Sequence, residues 1–215
     1  LTPKRHHISE LCIEYRFGET LDKTISERVL STYHYLLETL DFKTLAICDM
    51  IPTYTTIAIH FSHMSPLFHT PEYLDGIIIE NSEESFTCKH SKTFEIDVDY
   101  RGEDMAYLCQ TLQLSKEAFI ALHANRPYTI AMLGFRPYFP YLLGLDERLH
   151  LPRRDTPRLH VRKGAVAIGM AQTGIYSEDS PGGWHIIGHT TFDDFEKLRP
   201  SDIIIFRALK ERDVD

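Results

Sequence analysis

Gly174-Ile175-Tyr176-Ser177-Glu178-Asp179-Ser180-Pro181-Gly182-Gly183-Trp184-His185-Ile186-Ile187-Gly188 places the only tryptophan of the chain directly after a Pro-Gly-Gly turn, inside an otherwise strand-like run. Glycine permits backbone angles and close approaches that a Cβ forbids, and an indole beside such a bend supplies a large apolar face with one N–H donor. At this level two readings stand side by side: a hairpin anchored by a buried indole, or one wall of a ligand pocket. The pocket gains weight from two stretches upstream. Gly134-Phe135-Arg136-Pro137-Tyr138-Phe139-Pro140-Tyr141-Leu142 is a proline-stiffened aromatic run, and Pro152-Arg153-Arg154-Asp155-Thr156-Pro157-Arg158 is rich in arginine. A rigid apolar wall beside one or two guanidinium forks describes a small-anion pocket. The same aromatics would equally suit a packed seam between two domains.

Around these motifs the chain reads as short β segments separated by Pro and Gly: Tyr128 to Leu133, Arg158 to Val161, Ala165 to Ile168, Gly174 to Tyr176, Trp184 to Gly188 and Ile203 to Phe206. That spacing predicts a small closed or half-closed barrel. Ahead of it come a strand over Lys92 to Val98, a short helix over Asp104 to Leu112, and a helix beginning at Ser115 as N-cap. Nearer the N-terminus, Leu11 to Phe17 predicts a strand. Ile25, Val29, Leu30, Tyr33, Leu36, Leu37 and Leu40 recur at helical steps between Leu21 and Leu40. Strands over Thr44 to Met50 and Thr55 to Phe61, a weaker helix between Ser65 and Asp75, and a strand over Gly76 to Glu80 complete the order βαββαβ, the split plan of a small α+β sandwich. The polar stretch Asn81 to Ser85 reads as a linker, so the expected fold is α+β, with one domain over residues 1–85 and a second over 86–215.

The formal charge of -8 argues against a nucleic-acid backbone as partner, although Arg148 to Lys163 forms a local basic island of five arginines and one lysine against Asp155 alone. Small anions suit that island better than DNA. Cys12, Cys48, Cys88 and Cys109 lie far apart without a C-x-x-C pair, which indicates neither zinc nor a disulfide framework. No apolar run approaches the roughly 20 residues needed to span a bilayer, and the chain does not open on a signal-peptide pattern, so a reducing cytoplasm is expected. The glycines form neither a Walker A nor a G-x-G-x-x-G cradle, and no G-x-S-x-G elbow is present. Any phosphate contact would therefore come from arginines, loop amides or another subunit. His185 and His189 are spaced too widely along a strand to share a metal, and no metal site is expected. His123 closes a helix, where it either answers the helix dipole or serves as a base or substrate donor at the barrel mouth. Arg153 and Arg158 either grip an anion or pair with Asp155 or Asp146.

Taken in order, these motifs resemble the carboxyltransferase C/D-type family, which includes the B-type subunits of ATP-dependent bacterial 5-oxoprolinase, often labelled allophanate hydrolase subunit 1, and the sporulation kinase A inhibitors. The resemblance runs over roughly residues 95 to 206 and rests on His123 to Ile130, Gly134 to Leu145, Pro152 to Arg158, Gly164 to Ile168, Gln172 to Ser177 and Ser180 to Thr190. It implies an N-terminal ferredoxin-like domain and a C-terminal cyclophilin-like β-barrel. It further implies a homologous second subunit, with a third also required, and ATP with Mg2+ used by the whole complex to open 5-oxoproline to glutamate. In that frame the substrate-binding residues are His123, Arg136, Phe139, Tyr141, Arg153, Arg158, Gln172 and Trp184, while no catalytic residue is assigned. Tyr138 stands where the family pattern has glycine, Ala165 where it has serine, Ser177 where it has proline, and His189 where it has arginine. Those departures keep two alternatives in play: a regulatory protein that docks a sensor histidine kinase, and a paralogue that has lost catalysis. Prolyl isomerisation rests on barrel analogy alone.

Overall fold

Ile13 and Tyr15 alternate with Cys12, Glu14 and Arg16, and that period-two pattern builds a strand whose odd-numbered side chains are buried against helices. The computed structural model describes residues 2–63, 71–81 and 91–209, and the chain divides into two compact units, Leu1–His90 and Ser91–Asp215. Each unit has its own core.

In the first unit, β1 (Lys4–Ser9) and β2 (Cys12–Arg16) form a hairpin, α1 (Lys23–Thr39) follows, then β3 (Ile47–Pro52), β4 (Thr56–Phe61) and α2 (Pro71–Asn81). Asp22 caps α1 by accepting the N–H groups of Thr24 and Ile25 at 2.8 and 3.1 Å, a device that contributes about 1 kcal/mol. The sheet order is β1-β2-β4-β3, antiparallel throughout. The expected βαββαβ order is therefore corrected to ββαββα. Two features account for the change. The hairpin strand β1 is an edge made of Lys4, Arg5, His6 and His7, mostly exposed, so it carries no apolar alternation to announce it. Conversely, Gly76 to Glu80, predicted as a strand from its three isoleucines, lies inside α2. Leu74 and Ile78, one helical turn apart, are both fully buried while Ile79 is 41% exposed, so burial at a four-residue step overrides β-branched propensity. The resulting sheet is the split plan with its last strand moved to the front of the chain. The Ser65–Thr70 part of the predicted second helix, the linker beyond Asn81, the boundary near residue 85 and Cys88 lie outside the described residues.

The second unit holds β5 (Thr93–Val98), α3 (Met105–Leu112), α4 (Lys116–His123), β6 (Pro127–Leu133), β7 (Pro140–Leu143), β8 (Arg158–Val161), β9 (Ala165–Gly169), β10 (Gln172–Ile175), β11 (Ser180–Gly182), β12 (His185–His189) and β13 (Ile203–Ala208). Seven strands form one sheet in the order β12-β9-β10-β7-β6-β13-β5, and β11 pairs with β8 in a separate ribbon. The two edges of the large sheet meet where Asp99, just past β5, exchanges both backbone hydrogen bonds with His189 of β12, at 2.8 and 2.9 Å. That bridge nearly closes the sheet into the expected barrel, and Val98, Ile130, Val166, Ile168, Ile187 and Phe206 fill its interior. β9 is buried at every position: Val166 and Ile168 belong to the barrel core, while Ala165 and Ala167 belong to a second cluster with Phe139, Tyr176 and Trp184. Small residues on that outer face leave room for aromatic rings to lie on the sheet.

Candidate functional site

Three rings rest where glycines omit a side chain. A Cβ at Gly169 would stand 2.8 Å from the Trp184 indole, and one at Gly182 would collide with the Tyr176 hydroxyl. Phe139 covers Gly174 in the same way, at 3.0 Å. The glycines of β9, β10 and β11 are therefore seats for aromatics, which explains why a Pro-Gly-Gly-Trp motif accompanies Gln-Thr-Gly-Ile-Tyr. The rings interlock edge to face: Phe139 lies 5.8 Å from Trp184 and 5.3 Å from Tyr176, and Tyr141 lies 5.6 Å from Trp184. Together with Phe135, Arg153, Pro157 and Pro181 they line a cleft of about 260 Å³.

The loop from β6 to β7 aims Phe135 at this cleft through two consecutive tight turns. Arg136 N–H donates to Gly134 C=O at 2.7 Å across Phe135, whose φ is 64°, and Phe139 N–H donates to Arg136 C=O at 3.1 Å. In the second turn Pro137 occupies the position that favours proline and Tyr138, at φ 61°, the one that favours glycine, as in a type II turn. The family's glycine is thus a conformational requirement. Tyr138 meets it at a cost while its half-exposed ring stays off the cleft. Ser177, in the family's proline position, secures the turn by donating from Oγ to Pro137 C=O at 2.6 Å.

Asp104 joins the arginine stretch to the strand that follows Trp184, and nothing in its sequence neighbourhood pointed to it. Its buried carboxylate accepts Arg154 Nη1 and Arg158 Nη2 on Oδ1, both at 2.8 Å, and the Ile186 N–H on Oδ2 at 2.7 Å. Burial alone would raise its pKa, but the Arg158 hydrogen bond, the Ile186 N–H and the charges of both arginines outweigh burial and hold the carboxyl below its usual range. Arg154 N–H also donates to Gly183 C=O at 2.9 Å, and His185 Nε2–H donates to Pro152 C=O at 3.0 Å. These bonds hold the arginine loop against the glycine turn, with Arg153 lying 5.9 Å from the centre of the Trp184 ring. Arg153 forms no ion pair among the described residues.

Of the eight predicted ligand contacts, Phe139, Tyr141, Arg153 and Trp184 line the cleft. Arg158 lies outside that lining because Asp104 engages it. Arg136 turns to Glu178, 3.7 Å away, and to the Phe135 ring. Gln172 is buried at the start of β10 and is not among the lining residues. His123 closes α4, as the sequence reads it, but it does not stand at the barrel mouth: its side chain is fully buried in the barrel core. Thr173 Oγ1 spends its proton on Ala167 C=O at 2.9 Å, so it accepts from His123 Nε2–H at 2.9 Å. His123 Nδ1 consequently accepts the Tyr100 hydroxyl at 2.7 Å. Burial first, then the Arg126 charge, depress its pKa to about 3. It is a neutral core group, out of reach of any ligand in the cleft. His189 sits at the barrel seam and faces Glu103 at 3.2 Å.

The lining holds no carboxylate, imidazole or ammonium group, and burial raises the hydroxyls of Tyr141 and Tyr176 away from neutrality. What it can do is bind: stack a small planar body on aromatic rings and pair one negative charge with Arg153. These residues do not fit a magnesium nucleotide. The cleft presents a single guanidinium and no carboxylate, and among the described residues no group of three or more His, Cys, Asp or Glu side chains is placed to hold a metal ion. No helix of the described residues is long and apolar enough to cross a membrane.

Comparison with known proteins agrees with this architecture. The chain is similar to the B-type subunit of 5-oxoprolinase from Escherichia coli O157:H7, 43% identical over an alignment of 131 residues that covers 56% of this chain and 60% of that protein. Similarity to the Bacillus subtilis counterpart, also a B-type 5-oxoprolinase subunit, is lower at 29% but extends over 97% of this chain and 95% of that one. Among solved structures, the protein TTHA0988 superposes with a TM-score of 0.77 at 30% identity, over 93% of this chain and 40% of that chain. The chain thus spans well under two thirds of the length of some of the proteins it matches. The family described as carboxyltransferase domain, subdomain C and D, matches from residue 3 to residue 205, and the chain belongs to it.

Proposed function

We propose that this chain is the B-type subunit of a heteromeric amide hydrolase of the 5-oxoprolinase kind, and that its cleft receives the small anionic substrate. Relatives that carry the name of a 5-oxoprolinase subunit support the reading, and that name implies further chains in those enzymes. The observation that carries it to a site is Arg153, a guanidinium without an ion pair among the described residues, set over the indole of an otherwise apolar cleft. A five-membered lactam with one carboxylate matches that shape and charge: the ring covers Trp184 and Phe139, and the carboxylate meets the fork. With no base in the lining, this chain binds and orients, while the groups that move protons and the residues that handle ATP with Mg2+ belong to partner chains, the homologous second one foremost.

The test is reconstitution with a candidate second subunit, and a third where needed, followed by ATP-dependent formation of glutamate from 5-oxoproline. In an active complex Arg153→Gln raises KM for 5-oxoproline at least tenfold with KM for ATP unchanged. Absence of glutamate formation in the full complex overturns the enzymatic reading.

A further inference from the structure

We infer that Asp104 determines the specificity of the cleft: by holding the Arg154 and Arg158 guanidiniums, it leaves a one-fork site that takes a monocarboxylate with a planar apolar body and rejects phosphates. The inference rests on the cleft being a ligand site, though not on 5-oxoproline being the ligand.

Three arginines lie within six residues of one another in the loop that borders the cleft, a density suited to a phosphate. Only Arg153 lines the cleft. The other two converge on a single oxygen of Asp104, whose side chain is 5% exposed and whose second oxygen is committed to Ile186 N–H. The Asp104 backbone N–H in turn donates to Ile186 C=O at 3.0 Å, so the carboxylate cannot swing away without breaking β12 from the start of α3. Asp104 therefore acts as a rigid holder. Both arginines also keep a donor in reserve: Arg154 Nε and Arg158 Nη1 have no hydrogen-bond partner among the described residues. Released from Asp104, these guanidiniums would add charge and unfilled donors beside the ribbon whose Gly182 lines the cleft and pairs in register with Arg158. With Asp104 in place a phosphate meets one fork and apolar walls, leaving most of its oxygens without donors.

Trp184, the only tryptophan, forms part of the cleft wall, so its fluorescence reports on this site alone. The full chain is titrated with benzoate, 5-oxoproline, inorganic phosphate and tripolyphosphate at constant ionic strength. Benzoate gives a saturable change, the two phosphates give none, and Arg153→Gln, at an exposed position, weakens benzoate at least tenfold. In Asp104→Asn the ratio of phosphate to benzoate affinity rises at least tenfold. Phosphate binding as tight as benzoate in the native chain, no saturable change with benzoate, or an unaltered Arg153→Gln each overturns the inference, as does a folded Asp104→Asn chain with its preference unchanged. Should Asp104→Asn fail to fold, the native and Arg153→Gln titrations can still overturn the inference. Benzoate binding without 5-oxoproline binding leaves this inference standing and removes 5-oxoproline as the ligand.

Discussion

Tyr138 shows how a single departure from a family pattern is resolved by backbone geometry. Its φ of 61° lies in the left-handed region, which costs an L-residue roughly 1–2 kcal/mol, part of which glycine would return as chain entropy in the unfolded state. Tyr138→Gly is therefore expected to stabilise the chain by about 1 kcal/mol, read as a higher urea midpoint at unchanged m-value. The half-exposed ring is not part of the cleft, so benzoate binding monitored by Trp184 should not change. In sequence, the same position reads only as a departure from the family pattern. Only the turn hydrogen bonds reveal that glycine is favoured there for its φ. Asp104 shows the opposite case: an unremarked acid before a short helix whose three partners lie 50, 54 and 82 residues away.

At the scale of elements, helix α2 separates intrinsic preference from burial. Three consecutive isoleucines favour a strand and Gly76 disfavours a helix, yet Ile78 is fully buried beside Leu74 and Ile79 is exposed. Ile78→Ala is expected to cost about 2–4 kcal/mol in a denaturant titration and Ile79→Ala less than about 1, a contrast set by the helical face. Most barrel strands are easier to read, because Pro or Gly separates them, although Arg158 to Val161, expected among them, pairs only with β11 in the separate ribbon. Strand β7 is the exception, since its Pro140-Tyr141-Leu142-Leu143 looks like part of an aromatic wall, which it also is: Tyr141 belongs at once to the ladder and to the cleft.

Across the whole molecule, the buried network around His123 links the second unit's stability to pH. The folded pKa of about 3 lies below the ordinary value of 6.5, so the neutral imidazole is favoured by folding. Its contribution is complete above pH 6.5 and is lost as pH falls toward 3, with a slope of up to about 1.4 kcal/mol per pH unit. Urea midpoints measured from pH 7 to pH 4 should fall accordingly, and the His123 ring proton resonances should stay constant across pH 5 to 8. A shift of those resonances in that range would contradict the assignment. The sequence alone established the class of the fold, most of its barrel strands, the first helix and the family, because periodicity, turn residues and motif order are local properties of the chain. It also supplied Phe139, Tyr141, Arg153 and Trp184 as cleft residues. Tertiary packing was needed to show that His123 is core, that Arg158 is held by Asp104, that α2 is a helix, and that a first charged strand completes the sheet. Each of those outcomes depends on which distant group satisfies a buried charge, hydrogen bond or apolar face, and no local pattern encodes that partner.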